Sequence, residues 1–516
     1  MDCFSAVNDD ILQNILFRLP ASSFASAACV RKSWNRVCNR VLAFPKLATA
    51  LSQNPSLRDA VREVLDKVLS GPIRPQFAIA SIGLQFSLEA AHHLISRKLG
   101  PKVPVVTNTS CGIIGRDAIT NTMKEVRWHM IPEEDGSVSQ EFEEFNRGIV
   151  LIVGYLPGLK VEAIPLLRLK TDPQVTLVDR FLTEIKNYTA YASGLIAPTG
   201  IIMFGDQNVD LTPVLAEIDC AMPEETVIAG DASSRFICNS SHNSPQYNSD
   251  LFFFDAVALV FAKDKNKPQG IGETRFHSRL SAGVMPFGPE LRAITVASKG
   301  TECSWITSTM NGIPQIIDSQ RLLGDINVEL EASADLYIGV IQKRPSSIEH
   351  EKMEMRKYLA FYEVIGGDDD YLVIDGVGVQ PGDTFMFYHS DSATASSSCL
   401  KAFEKLKVLR SPSNPWATPV GAHIVGGGKG GAFGGLMFSS HYRGESYYDS
   451  FPIYSNFPGT ALAGIVCSRE IGRDSATSSV WQAAKKESPA RCSLHVCTTV
   501  YLVLSYIPPP PNLYIN

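Results

Sequence analysis

The chain opens with Ser5-Ala-Val-Asn-Asp-Asp-Ile-Leu-Gln-Asn-Ile-Leu-Phe-Arg-Leu-Pro20, a stretch in which apolar residues recur at helical spacing. Asn8 supplies a capping oxygen, and the two aspartates after it suit the positive end of a helix dipole. Pro20 ends the helix because its ring removes a backbone donor. This pattern predicts a first helix with an apolar stripe wider than so small a module needs for its own core.

Two more helices are predicted before residue 42. Ser22 or Ser23 can cap the second helix, and the third has an apolar face made of Val30, Trp34, Val37 and Val41. A segment of about 40 residues rarely buries enough surface to be stable alone. We therefore expect residues 1–45 to bind a partner or to dock on the domain that follows.

The order and spacing of these residues resemble the F-box, the helical motif that docks substrate receptors onto the Skp-type adaptor of cullin–RING ubiquitin ligases. The match covers Asp9-Asp-Ile-Leu12, Ile15-Leu16, Leu19-Pro20 and Val30-Arg-Lys-Ser-Trp34. The resemblance implies an adaptor-binding surface formed by Val7, Ile11, Leu12, Ile15, Leu16, Leu19, Pro20 and Trp34. The family usually opens with Leu-Pro, where this chain has Val7-Asn8. The alternative is an ordinary three-helix cap packed on the body.

The composition is that of a soluble globular protein, since 45% of the 516 residues are hydrophobic and 19% are charged. A formal net charge of -6 argues against nucleic-acid binding, which normally needs a basic surface. The longest apolar run, residues 251–262, is shorter than the about 20 residues that span a membrane. Eleven scattered cysteines fit no disulfide framework, so we expect a reducing compartment, the cytoplasm, the nucleus or both.

Beyond the module, the sequence predicts an α+β protein with layered, mixed α/β domains. A helical connector is expected over residues 46–76. From residue 77 onward, strand-like apolar runs alternate with amphipathic helices, which is typical of layered sheets covered by helices. A polar loop divides this body into a first domain, 77–270, and a second domain, 271–507, and residues 508–516 form a proline-rich tail.

Three local predictions bear on the topology. A strand at 103–106 is expected to run into a loop at 107–115. A charged helix is expected at 348–362, and the last strand, 492–506, alternates apolar and polar residues and is therefore expected to be half buried. No periodic internal repeat occurs, which argues against a leucine-rich-repeat or propeller receptor.

Several short motifs follow one another along the body. They are Thr109-Ser-Cys-Gly-Ile-Ile-Gly115 in the first domain and, in the second, Gly378-Val-Gln-Pro-Gly-Asp383, Gly434-Gly-Leu-Met-Phe-Ser-Ser440, Arg443-Gly-Glu445 and Glu470-Ile-Gly472. This ordered set resembles the FIST amino- and carboxy-terminal domains, found in bacterial signal-input proteins and, behind an F-box, in ubiquitin-ligase receptors. The family often has a small residue before the last motif, where this chain has Arg469.

Four residues are the candidates for a ligand or substrate pocket: Cys111, Arg443, Glu445 and Glu470. An arginine can clamp a carboxylate bidentately. The alternative, and the commoner arrangement, is that Arg443 forms a buried or surface ion pair. Cys111 follows an apolar strand in a Ser-Cys-Gly turn, where a nucleophile could be displayed. The alternative is that it is simply a small residue that fills a tight turn.

No cofactor or metal site is predicted. The glycine-rich stretch 426–431 opens no helix pattern and lacks the Ser or Thr that follows the lysine of a phosphate-binding loop. Cys492, His495 and Cys497 could suggest a metal, but on one strand Cys492 points away from the other two. The sequence therefore offers no catalytic constellation.

Two functions follow from these observations. In the first, the protein is a non-catalytic receptor: the F-box holds the adaptor and the FIST body binds an unidentified protein substrate. In the second, the FIST domains sense a small-molecule ligand and the helical module is only a cap. A hydrolase based on Cys111 is a third interpretation. None of these functions involves nucleic acid or a membrane.

Overall fold

The computed structural model describes residues 8–128, 146–171, 176–239, 251–299, 303–310, 313, 315–330, 335–345, 355–409, 431–443, 450–473 and 492–510. The amino-terminal module forms three helices, α1 (Asp9–Leu16), α2 (Ala21–Ala28) and α3 (Lys32–Val41). The Asn8 side chain caps α1 by accepting a hydrogen bond from the Asp10 amide at 3.2 Å. The three helices predicted for this module are confirmed.

The body consists of seven helices and 23 strands within the described ranges. The helices are α4 (Leu57–Val68), α5 (Leu88–Leu99), α6 (Val178–Ser193), α7 (Thr212–Ala221), α8 (Ser319–Glu329), α9 (Ser392–Leu406) and α10 (Ser450–Asn456). The strands are β1 (Lys46–Ser52), β2 (Phe77–Ile82), β3 (Val105–Thr109), β4 (Gly112–Arg116), β5 (Met123–Arg127), β6 (Ile149–Tyr155), β7 (Leu159–Leu169), β8 (Gly200–Gly205), β9 (Val227–Asp231), β10 (Phe236–Asn239), β11 (Phe252–Lys263), β12 (Glu273–Ala282), β13 (Val284–Lys299), β14 (Cys303–Met310), β15 (Leu336–Pro345), β16 (Met355–Asp368), β17 (Tyr371–Asp375), β18 (Thr384–Ser390), β19 (Gly431–Ser440), β20 (Ala461–Cys467), β21 (Glu470–Arg473), β22 (Cys492–His495) and β23 (Thr498–Ile507). The α+β class predicted from the sequence is confirmed.

Three mixed sheets surround one large apolar core. Their strand orders are β1-β6-β2-β3-β10, β22-β21-β9-β8-β11-β7 and β12-β23-β19-β20-β4-β5. Each sheet contributes large side chains to the shared core, such as Phe77, Phe261 and Phe438. The opposite face of each sheet is covered by helices, which form three smaller cores with it. This is the layered arrangement expected when every apolar face has to be buried.

Strands that are far apart in sequence lie side by side in these sheets. Strand β4 extends the third sheet by pairing with β20, for example through Gly112 and Val466, and β5 pairs with β4 at the edge. Strands β21 and β22 extend the second sheet, where Glu470 is the register partner of Asp231 on β9. The ranges 77–270 and 271–507 therefore share two sheets, and the places where they meet bring distant polar residues together.

A six-stranded closed barrel is inserted in the chain between β12 and β19 of the third sheet, with the strand order β13-β14-β17-β16-β15-β18. The predicted helix at 348–362 is wrong where the structure describes it, because Met355–Asp368 is strand β16, paired with β15 and β17. The charged residues around it suggested a solvated helix. However, the core of the segment, Tyr358 to Ile365, is rich in aromatic and β-branched residues, and these favour a strand that closes the barrel.

Two further predictions need correction. The connector predicted as helical at 46–76 begins with strand β1, antiparallel to β6 from Lys46↔Tyr155 to Ser52↔Ile149, before helix α4. The predicted last strand is two strands in two different sheets, broken at Cys497, which has a φ of 47°. Strand β23 is buried on both faces because its alternate residues enter two cores, Val500, Leu502 and Leu504 the core shared by the sheets, and Tyr501 and Val503 the core under α9 and α10.

The helical module is attached to the body along a short seam. The Ala21 amide donates a hydrogen bond to the Leu69 carbonyl oxygen at 3.0 Å, and Ala21 and Leu42 pack against the core under α4. After α3, the rings of Phe44 and Tyr506 meet edge to face, with centroids 5.8 Å apart. No described helix is long and apolar enough to cross a membrane.

Candidate functional site

The apolar residues of helix α1 lie on two faces, one buried in the module and one exposed to solvent. Leu12 and Leu16 are buried in the module's own core, where they meet Phe24 and Val37. Ile11 and Ile15 are 56% and 51% exposed. Because residues i and i+4 share one helix face, the two isoleucines form an apolar strip on the surface. Two large aliphatic side chains left in water in this way mark a surface that another protein can cover.

The other residues predicted for adaptor binding have mixed positions. Leu19 and Trp34 are half buried against the module core, and the Arg31 guanidinium lies 5.9 Å from the centre of the Trp34 ring. Pro20 is exposed at the start of α2. Val7 lies outside the described residues. Leu12 and Leu16 therefore lie in the core beneath the predicted adaptor-binding surface and are not part of that surface.

Phe17 and Val30 belong to the exposed apolar residues of the module, although sequence reasoning did not select them for the adaptor surface. Phe17 is 36% exposed and Val30 is 62% exposed. Val30 falls in the break between α2 and α3, where the helical spacing that assigned it to the core of the third helix does not apply. In the sequence, the only indication that Val30 is exposed was its position just before the basic residues that begin α3.

A second candidate site forms where the body's distant strands meet. The stretch predicted as a loop at 107–115 is instead β3, a tight turn at Ser110-Cys111, and β4. A Cβ atom added to Gly112 would lie 2.3 Å from the Val126 carbonyl oxygen, so only glycine fits there. The turn is held by a hydrogen bond from the Cys111 amide to the Val466 carbonyl oxygen at 2.9 Å. This places the Cys111 thiol beside the end of β20.

The Cys111 side chain is buried and faces Ser468, with 3.4 Å between the sulfur and the hydroxyl oxygen. Burial raises the pKa of this thiol to about 11, and the nearby carboxyls of Asp231 and Glu470 add to the effect. A thiol of this kind remains protonated at neutral pH, and the thiol is a much weaker nucleophile than the thiolate. The geometry therefore favours the interpretation of Cys111 as a small residue of a tight turn.

A chain of hydrogen bonds links Ser468 to the Asp231 carboxyl. The Ser468 amide donates to the Ser233 hydroxyl oxygen at 2.9 Å. The Ser233 hydroxyl and amide both donate to one oxygen of Asp231, at 2.6 and 2.8 Å. The turn after β9 and the turn between β20 and β21 thus meet next to a single buried carboxyl.

Asp231 and Glu470 are register partners on adjacent strands and are both fully buried. Burial raises the pKa of Asp231 to about 6. It also raises the pKa of Glu470 well above the usual value, and the Asp231 charge adds to this shift. The Thr498 backbone and the Ser440 side chain interact with Glu470, and Ser233 and Ser234 interact with Asp231, but within the described part of the chain neither carboxyl makes an ion pair. The two carboxyls therefore lie side by side in the interior, where burial disfavours their charged forms.

The predicted pocket residues do not all come together here. Cys111 and Glu470 belong to the same cluster, through Asp231. The Arg443 guanidinium instead donates to the Ser281 carbonyl and hydroxyl oxygens and to the Ala395 carbonyl, so it joins β12 to α9. Glu445 lies outside the described residues. These contacts give Arg443 a structural role, and the carboxylate clamp stays a prediction.

Sequence reasoning missed three members of this cluster: Asp231, Ser233 and Ser468. The available signal was weak, since Asp231-Ala-Ser-Ser234 simply follows an apolar strand as a polar turn would. Their proximity to Cys111 depends on strands more than 100 residues apart in sequence pairing in the folded chain. Among the described residues, no group of three His, Cys, Asp or Glu side chains could hold a metal ion.

One curated relative covers nearly the whole chain. An F-box/LRR-repeat protein of Arabidopsis thaliana is 36% identical over 518 residues, which is 97% of this chain and 93% of that protein. No protein-family model matches the sequence. The described body of this chain consists of mixed sheets and a barrel, and these ranges contain no stack of leucine-rich repeats.

Proposed function

This chain belongs to the family of F-box proteins, and we propose that it is the substrate-recognition subunit of an SCF-type ubiquitin ligase. The observation that carries the proposal is the exposed strip of Ile11 and Ile15, supported from beneath by Leu12 and Leu16. In this role the module binds a Skp-type adaptor and, through it, a cullin–RING ligase. The protein acts without catalytic residues of its own.

The body is proposed to bind the protein substrate, as its resemblance to a FIST domain pair implies. A receptor of this kind accelerates ubiquitin transfer by proximity, because it holds the substrate near the conjugating enzyme in one assembly. The seam of Ala21 and Leu42 against the body limits how far the two ends can move apart. The ligase would operate in the cytoplasm, the nucleus or both.

Replacing both Ile11 and Ile15 with glutamate should abolish capture of the adaptor. Burying one isoleucine contributes about 1.5–3 kcal/mol, so losing both should weaken binding by at least ~100-fold. The module should stay folded, because both side chains point into water. The measurement is the affinity of the purified full chain for a recombinant Skp-type adaptor, by biolayer interferometry.

Two control variants make this experiment decisive. Leu195 and Ile196 are 57% and 66% exposed on the body after α6, so their replacement by glutamate makes the same chemical change away from the module. That variant should bind the adaptor normally. Leu16→Glu should instead unfold the module, since Leu16 is fully buried. Undiminished adaptor binding by the folded Ile11/Ile15 variant would rule out the proposed function.

A further inference from the structure

An exposed apolar turn follows helix α6 on the body. Tyr191, in the last turn of the helix, is 69% exposed, and Leu195 and Ile196, just after it, are 57% and 66% exposed. Gly194 ends the helix with a φ of 78°, and its amide donates to the Ala190 carbonyl oxygen at 2.9 Å. The apolar residue after such a glycine often packs back against the helix. Here it stays in water, which marks a surface that another molecule can cover.

The backbone of this turn is tied to the helix and to a neighbouring loop. The Ser193 hydroxyl donates to the Thr189 carbonyl oxygen at 2.7 Å, and it accepts a hydrogen bond from the Leu195 amide at 3.0 Å. The Ala192 carbonyl oxygen accepts a hydrogen bond from the Lys265 amide at 2.9 Å. The apolar side chains are therefore held on a fixed backbone before a partner arrives, and this lowers the entropy cost of binding.

The neighbouring loop is basic. It follows strand β11 with the sequence Lys263-Asp-Lys-Asn-Lys267, and all three lysines are exposed. The Lys265 ammonium nitrogen lies 5.3 Å from the centre of the Tyr191 ring, a favourable contact between a cation and an aromatic face. Lys263 pairs with Glu273 at 3.2 Å. Positive charge thus lies directly beside the apolar turn.

Two of the three lysines keep their charge available. Asp264, the only acid of the loop, lies 3.7 Å from Lys160. Lys267 donates to the Gly272 carbonyl oxygen at 3.3 Å, which is a neutral group. In the described ranges, no carboxylate makes an ion pair with Lys265 or Lys267. The chain as a whole carries a net charge of -6, so the loop is opposite in sign to the protein around it.

We propose that the α6 turn (Tyr191, Leu195 and Ile196) and the basic loop (residues 263–267) together bind an acidic segment of the protein substrate that also carries large apolar side chains. The inference rests on the proposed function, because it names the class of substrate that the receptor binds. The apolar side chains of the segment cover the turn, and its carboxylates lie against the lysines, so that the charges of the two surfaces are complementary. A membrane surface fits less well, since attraction to anionic lipids usually takes about four to eight basic residues.

The test is the selection of phage-displayed random dodecapeptides on the immobilised full chain, followed by fluorescence anisotropy with the enriched peptides. These peptides should combine aspartate or glutamate with leucine, isoleucine or phenylalanine. Their affinity should fall when NaCl is raised from about 50 mM to about 300 mM, because salt screens exposed charges. A selection that yields no binder, or only neutral and basic binders, would overturn the proposal.

Two double variants assign the peptide binding to this surface. Leu195→Ser with Ile196→Ser removes the apolar side chains, and Lys265→Glu with Lys267→Glu reverses the available charge. Each should weaken the affinity for the selected peptides at least ~10-fold. All four side chains are exposed, so both variants should keep the melting temperature of the parent. Undiminished peptide affinity in both folded variants would refute the site.

Lys98→Glu with Lys102→Glu is the matched control for the charge reversal. These lysines are exposed at the end of α5 and just after it, and the control changes the net charge by the same amount. It should bind the selected peptides normally, and an equal loss in both lysine variants would show that only the overall charge matters.

Cosedimentation with vesicles of phosphatidylserine and phosphatidylcholine tests the membrane alternative. Vesicle binding that both surface variants abolish, with no peptide selected, would contradict the proposal and assign the surface to lipid. Adaptor binding should be normal in all of these variants. A failure to bind peptide therefore counts against this inference alone, and a failure to bind the adaptor counts against the proposed function.

Discussion

Arg473→Met is expected to lower the free energy of unfolding by about 3–5 kcal/mol. This is the usual cost of removing one partner of a buried ion pair while the other partner stays charged. The Arg473 guanidinium lies 2.8 Å from the Asp219 carboxylate, and both side chains are only 6% exposed. It also donates to backbone carbonyls that end helix α7 and begin the next loop, those of Asp219, Met222, Pro223 and Thr226. Removing it leaves a charge and several carbonyls without a donor in the interior.

The contacts of Arg473 explain why the effect should be large. The guanidinium closes the negative end of α7, where free carbonyls and a cation attract each other. It also ties β21, from the carboxy-terminal part of the chain, to a helix some 250 residues earlier. Arg473→Lys should recover little, because an ammonium group cannot reproduce the planar fork of donors. Urea denaturation of the full chain measures the change.

Arg469→Met is the matched control for this prediction. Arg469 belongs to the same segment and also pairs with an aspartate at 2.8 Å, but the two side chains are 31% and 46% exposed. An exposed pair of this kind contributes about 0–1 kcal/mol. If both variants lose similar stability, the burial argument for Arg473 is wrong. Adding Asp219→Asn to Arg473→Met should restore part of the lost stability, since it removes the unpaired charge.

Asp231→Asn is expected to gain stability relative to the unmodified chain as the pH rises from about 4 to 7, by about 2.4 kcal/mol over this range. The pKa of Asp231 is about 6 in the folded protein, above its usual value of 3.8. Between these two values, the folded state holds a proton that the unfolded chain has released. The contribution of this group to stability is therefore fully present below pH 4 and is lost as the pH rises through 6.

Glu470→Gln should show the same direction, with the loss continuing to higher pH, because the pKa of Glu470 is raised well above 4.5. The neighbouring thiols do not titrate in this range, since burial raises the pKa of Cys111 to about 11 and that of Cys467 well above 9. His495→Gln, made in every background, removes the one imidazole on the adjacent strand from the comparison.

The measurement is the free energy of unfolding at several pH values, and the difference between each variant and its parent is the informative quantity. Other carboxyls titrate in the opposite sense, such as Asp117, whose pKa is lowered to about 2 in the presence of Lys124. Their effects cancel in the difference. A difference that stays constant from pH 4 to 7 would show that the buried pair does not hold extra protons.

The amino-terminal module could be predicted almost completely because its information is local. Helical spacing, a capping asparagine and a stopping proline all act within one or two turns, and the three helices form as expected. The sequence could not assign each leucine and isoleucine to a side of α1. Ile11 and Leu12 are equally apolar, and only the packing of α1 on α2 and α3 buries one and exposes the other.

The helix predicted at 348–362 and the single last strand show where local patterns fail. In the barrel, β16 forms because strands β15 and β17 provide hydrogen-bond partners for its backbone N–H and C=O groups. The free energy gained from this pairing exceeds the helix preference of its charged residues. At the carboxy terminus, one alternating pattern covers two strands that enter different sheets. An alternating pattern predicts which residues of a segment are buried only when the whole segment belongs to a single strand.

The sequence by itself determined the α+β class, the helical module and the membership of an F-box family, since each depends on short-range patterns or on similarity along the whole chain. It also pointed to Cys111 and Glu470 as polar residues of interest. Only the tertiary structure placed Asp231, Ser233 and Ser468 with them, and it moved Arg443 to a different set of contacts. The physical reason is that sheet pairing joins strands over long sequence distances, and the environment of a buried carboxyl is fixed by those partners.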